Sequence, residues 1–241
     1  MVDLTREMAG LMTALGRPAT ARGRVLMFMA AYAGEGVSTV AREYARCEAA
    51  YAKKPVWLVD ADLTGQGQLR AVGDDPARFG PPGALSKASP DGSAFFAISP
   101  TPRGRDGAAI ADARFIIAQP FLERRLWVTR FLREKLPPGA RARLSDQPGY
   151  WRALRDHAQT VVIDAPAFER GAAALKLAPL ADGVIMVVSE TDGDVQARLD
   201  LRHAIERAGG RVIGMVYNRA RHAKAGAPGK PAGLMGRAAA L

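Results

Sequence analysis

The sequence has a single cysteine, Cys47, among its 241 residues. That excludes an intrachain disulfide framework and any cysteine-rich zinc site, and it fits a reducing compartment. Histidine is scarce too. His157, His203 and His222 show no metal-ligand spacing with Cys47 or with one another, so no metal chemistry is assigned to them. No local grouping of Ser, His and Asp, or of Cys and His, points to nucleophilic catalysis. Long apolar runs are missing as well: the longest nearly uninterrupted one, residues 25–34, is about half of what spans a bilayer. A secretory signal is not expected either, because Asp3 and Glu7 interrupt the n-region and Arg17 and Pro18 follow a short apolar stretch. A soluble, cytoplasmic protein is expected.

What is present is a globular composition. The chain is 48% apolar and 24% charged, which excludes a mostly disordered protein. Its length suits one α/β domain and leaves little room for a second full core. The expected division is a single domain over residues 1–220 and a basic, mobile tail over 221–241, where apolar bulk is too small to fold alone. The net charge of +10 is unevenly placed. Residues 101–155 hold 12 Lys/Arg against 5 Asp/Glu, and residues 211–241 hold 6 Lys/Arg and no acid. Two readings stay open: a solvated basic surface, or contact with something anionic such as nucleic acid, acidic lipid or an acidic polymer.

Short apolar, β-branched runs recur at residues 25–30, 56–60, 94–98, 160–164, 184–188 and 212–217. Such runs are the mark of strands buried on both faces of a parallel sheet. Helices are expected between them at 38–53 and 194–208. The alternation predicts a doubly wound, mostly parallel α/β sheet flanked by helices. Ahead of the first strand, Leu4, Met8, Leu11, Met12 and Leu15 share one helical face, which Gly16 and Pro18 end. This face suits packing on the sheet or a partner. Its opposite side has too few Lys/Arg for a membrane-surface helix. Residues 73–92 and 137–148 read as loops. The basic segment 99–150 is the least legible, with residues 115–136 expected to form one or two basic helices broken at Pro120. Tyr44, Cys47 and Tyr51 fall at helical spacing and read as core packing.

Directly after the first strand comes Ala31-Tyr32-Ala33-Gly34-Glu35-Gly36-Val37-Ser38-Thr39. A strand, a Gly-containing turn and a helix N-terminus make an anion site, because free N–H groups and the helix dipole converge there. Ser38 stands where a P-loop places its Mg²⁺-binding hydroxyl. Against the pattern G-x-x-x-x-G-K-[ST], Ala31 replaces the first glycine and Val37 replaces the lysine. Two later strands end in acids, 56–60 in Asp60 with Asp62 beyond it, and 160–164 in Asp164. In an open parallel sheet Ser38, Asp60, Asp62 and Asp164 should converge at the crevice beyond the strand ends, a grouping suited to Mg²⁺ and phosphate. Ser38, Asp60 and Asp164 are the candidate Mg²⁺ ligands.

These motifs resemble the P-loop ATPase superfamily of ParA and MinD, most closely its bacterial tyrosine kinase (BY-kinase) branch for capsular and exopolysaccharide export. Gly34-Glu35-Gly36-Val37-Ser38-Thr39 matches that branch's Walker A except at the lysine. Val59-Asp60-Ala61-Asp62-Leu63 resembles its second acidic motif, with Thr64 where an Arg is usual. Ile163-Asp164-Ala165-Pro166 resembles its Walker B, with Ala167 where a second Pro is common. Residues 181–188 and 213–219 are similar to its late strands. The likeness covers roughly residues 22–72 and 151–220 of the chain.

The resemblance implies a P-loop NTPase fold and an ATP·Mg²⁺ site formed by Gly34, Glu35, Gly36, Val37, Ser38, Thr39 and Asn218, the last aligned with an adenine-reading Asn. It also implies a Wzz-type membrane co-polymerase as partner and autophosphorylation on a C-terminal tyrosine cluster. No tyrosine follows Tyr217 and the lysine is absent, so kinase chemistry is not expected. Asp60, Asp62 and Asp164 become vestigial acids, and ATP and Mg²⁺ bind weakly or not at all. The expected function is a non-catalytic regulatory subunit of exopolysaccharide synthesis and export, of capsule or holdfast type, recruited to the inner membrane through its partner. Self-association is compatible with this, and nucleic acid is not an expected partner. The alternative is a ParA/MinD-type ATPase that positions cargo on DNA or membrane.

Overall fold

Strands whose every side chain is apolar must be covered on both faces, and this requirement organises the molecule. The computed structural model describes residues 3–16, 22–189 and 194–219; Pro18 and the 221–241 tail lie outside them. In chain order the first elements are α1 (Thr5–Leu15), β1 (Arg24–Met29), α2 (Val37–Tyr51), β2 (Val56–Asp60), α3 (Gln68–Gly73) and α4 (Pro76–Phe79). Then come β3 (Ser86–Lys87), β4 (Phe96–Ser99), β5 (Ile116–Phe121), β6 (Leu126–Phe131) and β7 (Arg141–Leu144). The last are α5 (Gly149–His157), β8 (Thr160–Asp164), β9 (Gly183–Ser189), α6 (Val195–Arg207) and β10 (Val212–Asn218).

The main sheet runs β10-β9-β1-β8-β2-β6-β5-β3. The six strands from β10 to β6 are parallel, and β5 and β3 are antiparallel additions at one edge. Alternate side chains of β1 enter two separate apolar layers. Val25, Met27 and Met29 join Tyr150, Trp151 and Leu154 of α5 with Leu201 and Ile205 of α6. Leu26 and Phe28 join Met8 of α1 with Val40, Ala41 and Tyr44 of α2. Each fully buried large side chain contributes about 1.5–3 kcal/mol. The fold is the doubly wound, mostly parallel α/β sheet expected from the alternation of runs.

Helix α1 takes the first of the two places open to it. Met8 is buried, and Leu4, Leu11, Met12 and Leu15 pack against the α2 side of the sheet. The Arg24 guanidinium donates to the carbonyls of Leu15 (3.4 Å) and Gly16 (2.7 Å), giving partners to two oxygens at the helix end. The same guanidinium reaches the Tyr44 hydroxyl at 2.7 Å and Glu48 at 3.3 Å, and the Thr160 hydroxyl donates to Glu48. A second buried acid, Glu43, accepts from Arg46 (2.9 Å) and Arg78 (2.6 Å).

Several expectations need correction: Tyr44 and Cys47 are core residues, but Tyr51, at the end of α2, is 79% exposed. Residues 115–136 are not basic helices but the antiparallel β5–β6 hairpin. Burial alternates over residues 116–120 of β5, so period 2 prevails there over the helical reading, while β6 buries Leu126, Val128, Thr129 and Phe131 without strict alternation. Pro120 is tolerated because its carbonyl accepts from the Gly83 N–H at 2.8 Å, which places its missing N–H on the outer side, away from β6. The hairpin turn needs Leu122, Glu123 and Arg124 all at positive φ, 49°, 55° and 69°. Thirdly, the 94–98 run supplies β4, which pairs antiparallel with β7 in a separate two-stranded sheet. Finally, the 137–148 loop contains that partner strand, and the 73–92 loop contains α4 and β3. Among the described residues no helix is long and apolar enough to cross a membrane.

Candidate phosphate site

Parallel pairing brings the C-terminal ends of β1, β8 and β2 side by side. Phe28 is in register with Asp164, and Asp164 with Asp60. The segment after β1 curls into α2 through Gly34 (φ +87°) and Gly36 (φ +94°). Gly36 is doubly constrained, since a Cβ there would lie 2.0 Å from the Asn218 amide nitrogen. It caps α2 without a side chain, and no acid sits in the first helical turn. The leading N–H groups of α2, which have no intrahelical partner, therefore face the crevice with the positive end of the helix dipole.

The loop is wound by its own bonds. The buried Glu35 carboxylate accepts from the N–H of Tyr32 (3.0 Å) and of Ser189 (3.1 Å). The Glu35 carbonyl accepts from the Asn218 amide at 2.8 Å, and the Asn218 carbonyl oxygen accepts from the Arg219 N–H at 3.0 Å. Glu35 and Asn218 thus brace the loop and are absent from the lining of the cavity it encloses. Val37, at the lysine position, is 8% exposed and belongs to the apolar layer of α2.

That cavity, about 290 Å³, brings together Gly34, Gly36, Val37, Ser38 and Thr39 with Asp62 and Asp164. Asp60 stands one layer behind it. Its carboxylate accepts from the N–H of Asp62 (3.1 Å) and of Gln68 (3.0 Å) and is 2% exposed. Asp164 accepts from the Gln68 side-chain amide through Oδ2 at 2.6 Å, while its buried Oδ1 has no partner. The same Gln68 nitrogen donates to the Ser38 carbonyl at 2.8 Å. Burial pushes both Asp60 and Asp164 above the usual carboxylate range. The charge of Asp164 adds to the effect at Asp60, whereas hydrogen bonds from Gln68 and Ser38 oppose it at Asp164.

Two cationic residues that the sequence reading missed also line the cavity, Arg170 and Arg219. Arg170 pairs with Asp62 at 2.5 Å and donates to the Thr64 hydroxyl at 2.5 Å. Against the burial that would raise it, this guanidinium and the Thr64 hydroxyl hold Asp62 at about 2. No local signal marked Arg170, because it comes from the turn after β8 and its nearness to Asp62 exists only in the fold. Gln68 gave no signal either.

The residues present fit a phosphate-bearing ligand: an open helix N-terminus, a hydroxyl at Ser38 and two guanidinium groups, Arg170 and Arg219. They do not form a metal cage, because no group of three or more His, Cys, Asp and Glu is disposed around one point among the described residues. Mg²⁺ keeps several waters and is held by one or two protein groups plus phosphate, so Ser38 and Asp164 could hold it only together with a ligand.

Scans against protein-family models and against curated proteins give no match. The structure is similar to the kinase domain of the Escherichia coli tyrosine kinase ETK, with a TM-score of 0.58 at 17% identity over 91% of this chain and 76% of that one. It is similar to the kinase domain of VpsO, with a TM-score of 0.57 at 18% identity over 90% and 96%. The chimeric protein CapA2B2 gives a TM-score of 0.58 at 17% identity over 91% and 86%. The chain shares the fold of these domains.

Proposed function

We propose that this chain is a regulatory subunit of exopolysaccharide synthesis and export that binds a nucleoside polyphosphate without efficient phosphoryl transfer. The carrying observation is one cavity that keeps the glycine turn, Ser38 and Asp164 but places Val37 at the lysine position. Removing a preorganised charge aimed at a transferring phosphoryl group costs about 3–4 kcal/mol of transition-state stabilisation, a rate factor of hundreds or more. Binding suffers less, because backbone N–H groups at the helix start do not depend on that side chain. In this reading the N–H groups from Gly34 to Thr39 hold the phosphates, and Ser38 with Asp164 holds the accompanying Mg²⁺. A bound nucleotide supplies negative charge that neutralises the site. The link to polysaccharide export rests on the motif resemblance, and the fold shared with the ETK and VpsO kinase domains is compatible with it.

A Wzz-type membrane co-polymerase is the proposed partner and the route to the membrane. Co-purification of the full chain with the Wzz-type protein of its own export system, and shortened or lost polymer on deletion, is the expected result. Failure to associate with any such protein removes the assignment. Steady ATP turnover abolished by Ser38→Ala would instead favour a ParA/MinD-type ATPase.

A further inference from the structure

Val37 leaves the site without the cation that a P-loop aims at its ligand, yet the cavity is not without positive charge. The turn Phe168–Arg170 that follows β8 is stitched directly to the loop. The Phe168 N–H donates to the Ala30 carbonyl at 2.9 Å, and the Glu169 N–H to the Ala31 carbonyl at 3.0 Å. The Glu169 carboxylate in turn accepts from the Ala33 N–H at 2.5 Å. Gly171, at φ +122°, ends the turn. These bonds fix the backbone of Arg170 relative to the phosphate cradle across the cavity, and its side chain lines that cavity.

Its present partners are Asp62 and Thr64, the latter at the position where the resembling family has an arginine. A guanidinium from a different segment has come to rest at the second acidic motif. The Arg170 side chain is 43% exposed, and an ion pair at that exposure is weak enough to be exchanged. A phosphate offers the same planar fork of donors a doubly charged acceptor.

We propose that Arg170 is the phosphate-directed cation of this site, replacing the lysine lost at Val37, and that Asp62 holds it at rest and surrenders it to the phosphate chain of a nucleoside di- or triphosphate. The proposal rests on the nucleotide-binding reading above and names the residue that makes it work.

Calorimetric titration of the full chain with Mg²⁺-ATP, Mg²⁺-ADP and AMP tests it. The wild type binds ADP and ATP well above AMP. Arg170→Gln weakens ADP and ATP by about 10–100-fold, the size of one charge-assisted contact, and leaves AMP unchanged. Adding Val37→Lys to Arg170→Gln restores most of the loss. Asp62→Asn tightens ATP binding, and that gain disappears in the Arg170→Gln background. Arg170→Lys, which keeps the charge, retains more affinity than Arg170→Gln and covers the case in which the glutamine variant does not fold. ATP binding by a folded Arg170→Gln variant within twofold of wild type overturns the proposal while leaving nucleotide binding intact. Absence of ADP and ATP binding by the wild type overturns both.

Discussion

Replacing Asp164 with asparagine removes a charge that the fold keeps dry. In the wild type the carboxylate is 4% exposed, Oδ2 is bonded to Gln68, and Oδ1 has no partner. Its pKa and that of the adjacent Asp60 are raised, burial being the larger cause at both. Each unit of elevation is worth about 1.4 kcal/mol between the two protonation states. The sign follows from proton counting. Between the unfolded value near 4 and the raised folded value, the folded chain holds more protons than the unfolded chain, so stability falls as pH rises through that window and then levels off. Asparagine cannot ionise, keeps an oxygen for the Gln68 amide and brings an N–H₂ beside the Ser38 hydroxyl, which can accept from it. The difference between variant and wild type is therefore near zero at pH 4 and grows to about 1–3 kcal/mol in favour of the variant at pH 8. Urea unfolding of both proteins at pH 4.5, 6 and 8, with EDTA present, measures it. A variant less stable at pH 8, or a difference that does not move with pH, refutes the reasoning.

Val37→Lys should raise Mg²⁺-ATP affinity by about 1–3 kcal/mol, read by calorimetry, because it restores a cation at the helix start. It should also lower the unfolding free energy, since Val37 leaves an apolar layer. Gly36→Ala forces an L side chain to φ +94° and against the Asn218 amide. A loss of about 1–3 kcal/mol in chemical unfolding is expected, together with lost nucleotide binding. Glu43→Ala strands the Arg46 and Arg78 guanidinium groups. A cost of about 3 kcal/mol is expected, at the low end for a broken buried pair because both arginines still reach water. An unchanged melting temperature in that variant would show that the network contributes nothing.

The strands that place the site's acids, β2 and β8, were legible because each is an apolar run closed by an aspartate. Residues 56–60 and 160–164 match β2 and β8 to the residue. The glycine turn and the substitution at Val37 could be read directly, since a P-loop is contiguous in sequence. The β5–β6 hairpin could not, because a proline and a run of basic residues masked the alternation of β5, and β6 carries no clean alternation to read. Arg170, Gln68 and Glu35 acquire their roles through partners 108, 96 and 154 residues away in the chain. Nothing in a local window encodes such distances. Asp60 shows the converse: a carboxylate at the expected strand end whose oxygens are occupied by the N–H groups of Asp62 and Gln68, leaving Asp164 to face the cavity.

The outward-facing Pro120 also decides how this sheet can grow. At that end the terminal strand β3 has only two residues, and the strand behind it carries a position with no hydrogen to offer. A further strand docking there finds a ladder it cannot extend. At the other end β10 is a seven-residue strand with a free outer edge among the described residues, and its Met215 and Tyr217 are exposed. Strand addition to the main sheet is thus one-sided. If two copies paired edge to edge through β10, each would spend the one extendable margin of its main sheet among the described residues, and growth of that sheet would stop at a dimer instead of propagating into a fibre.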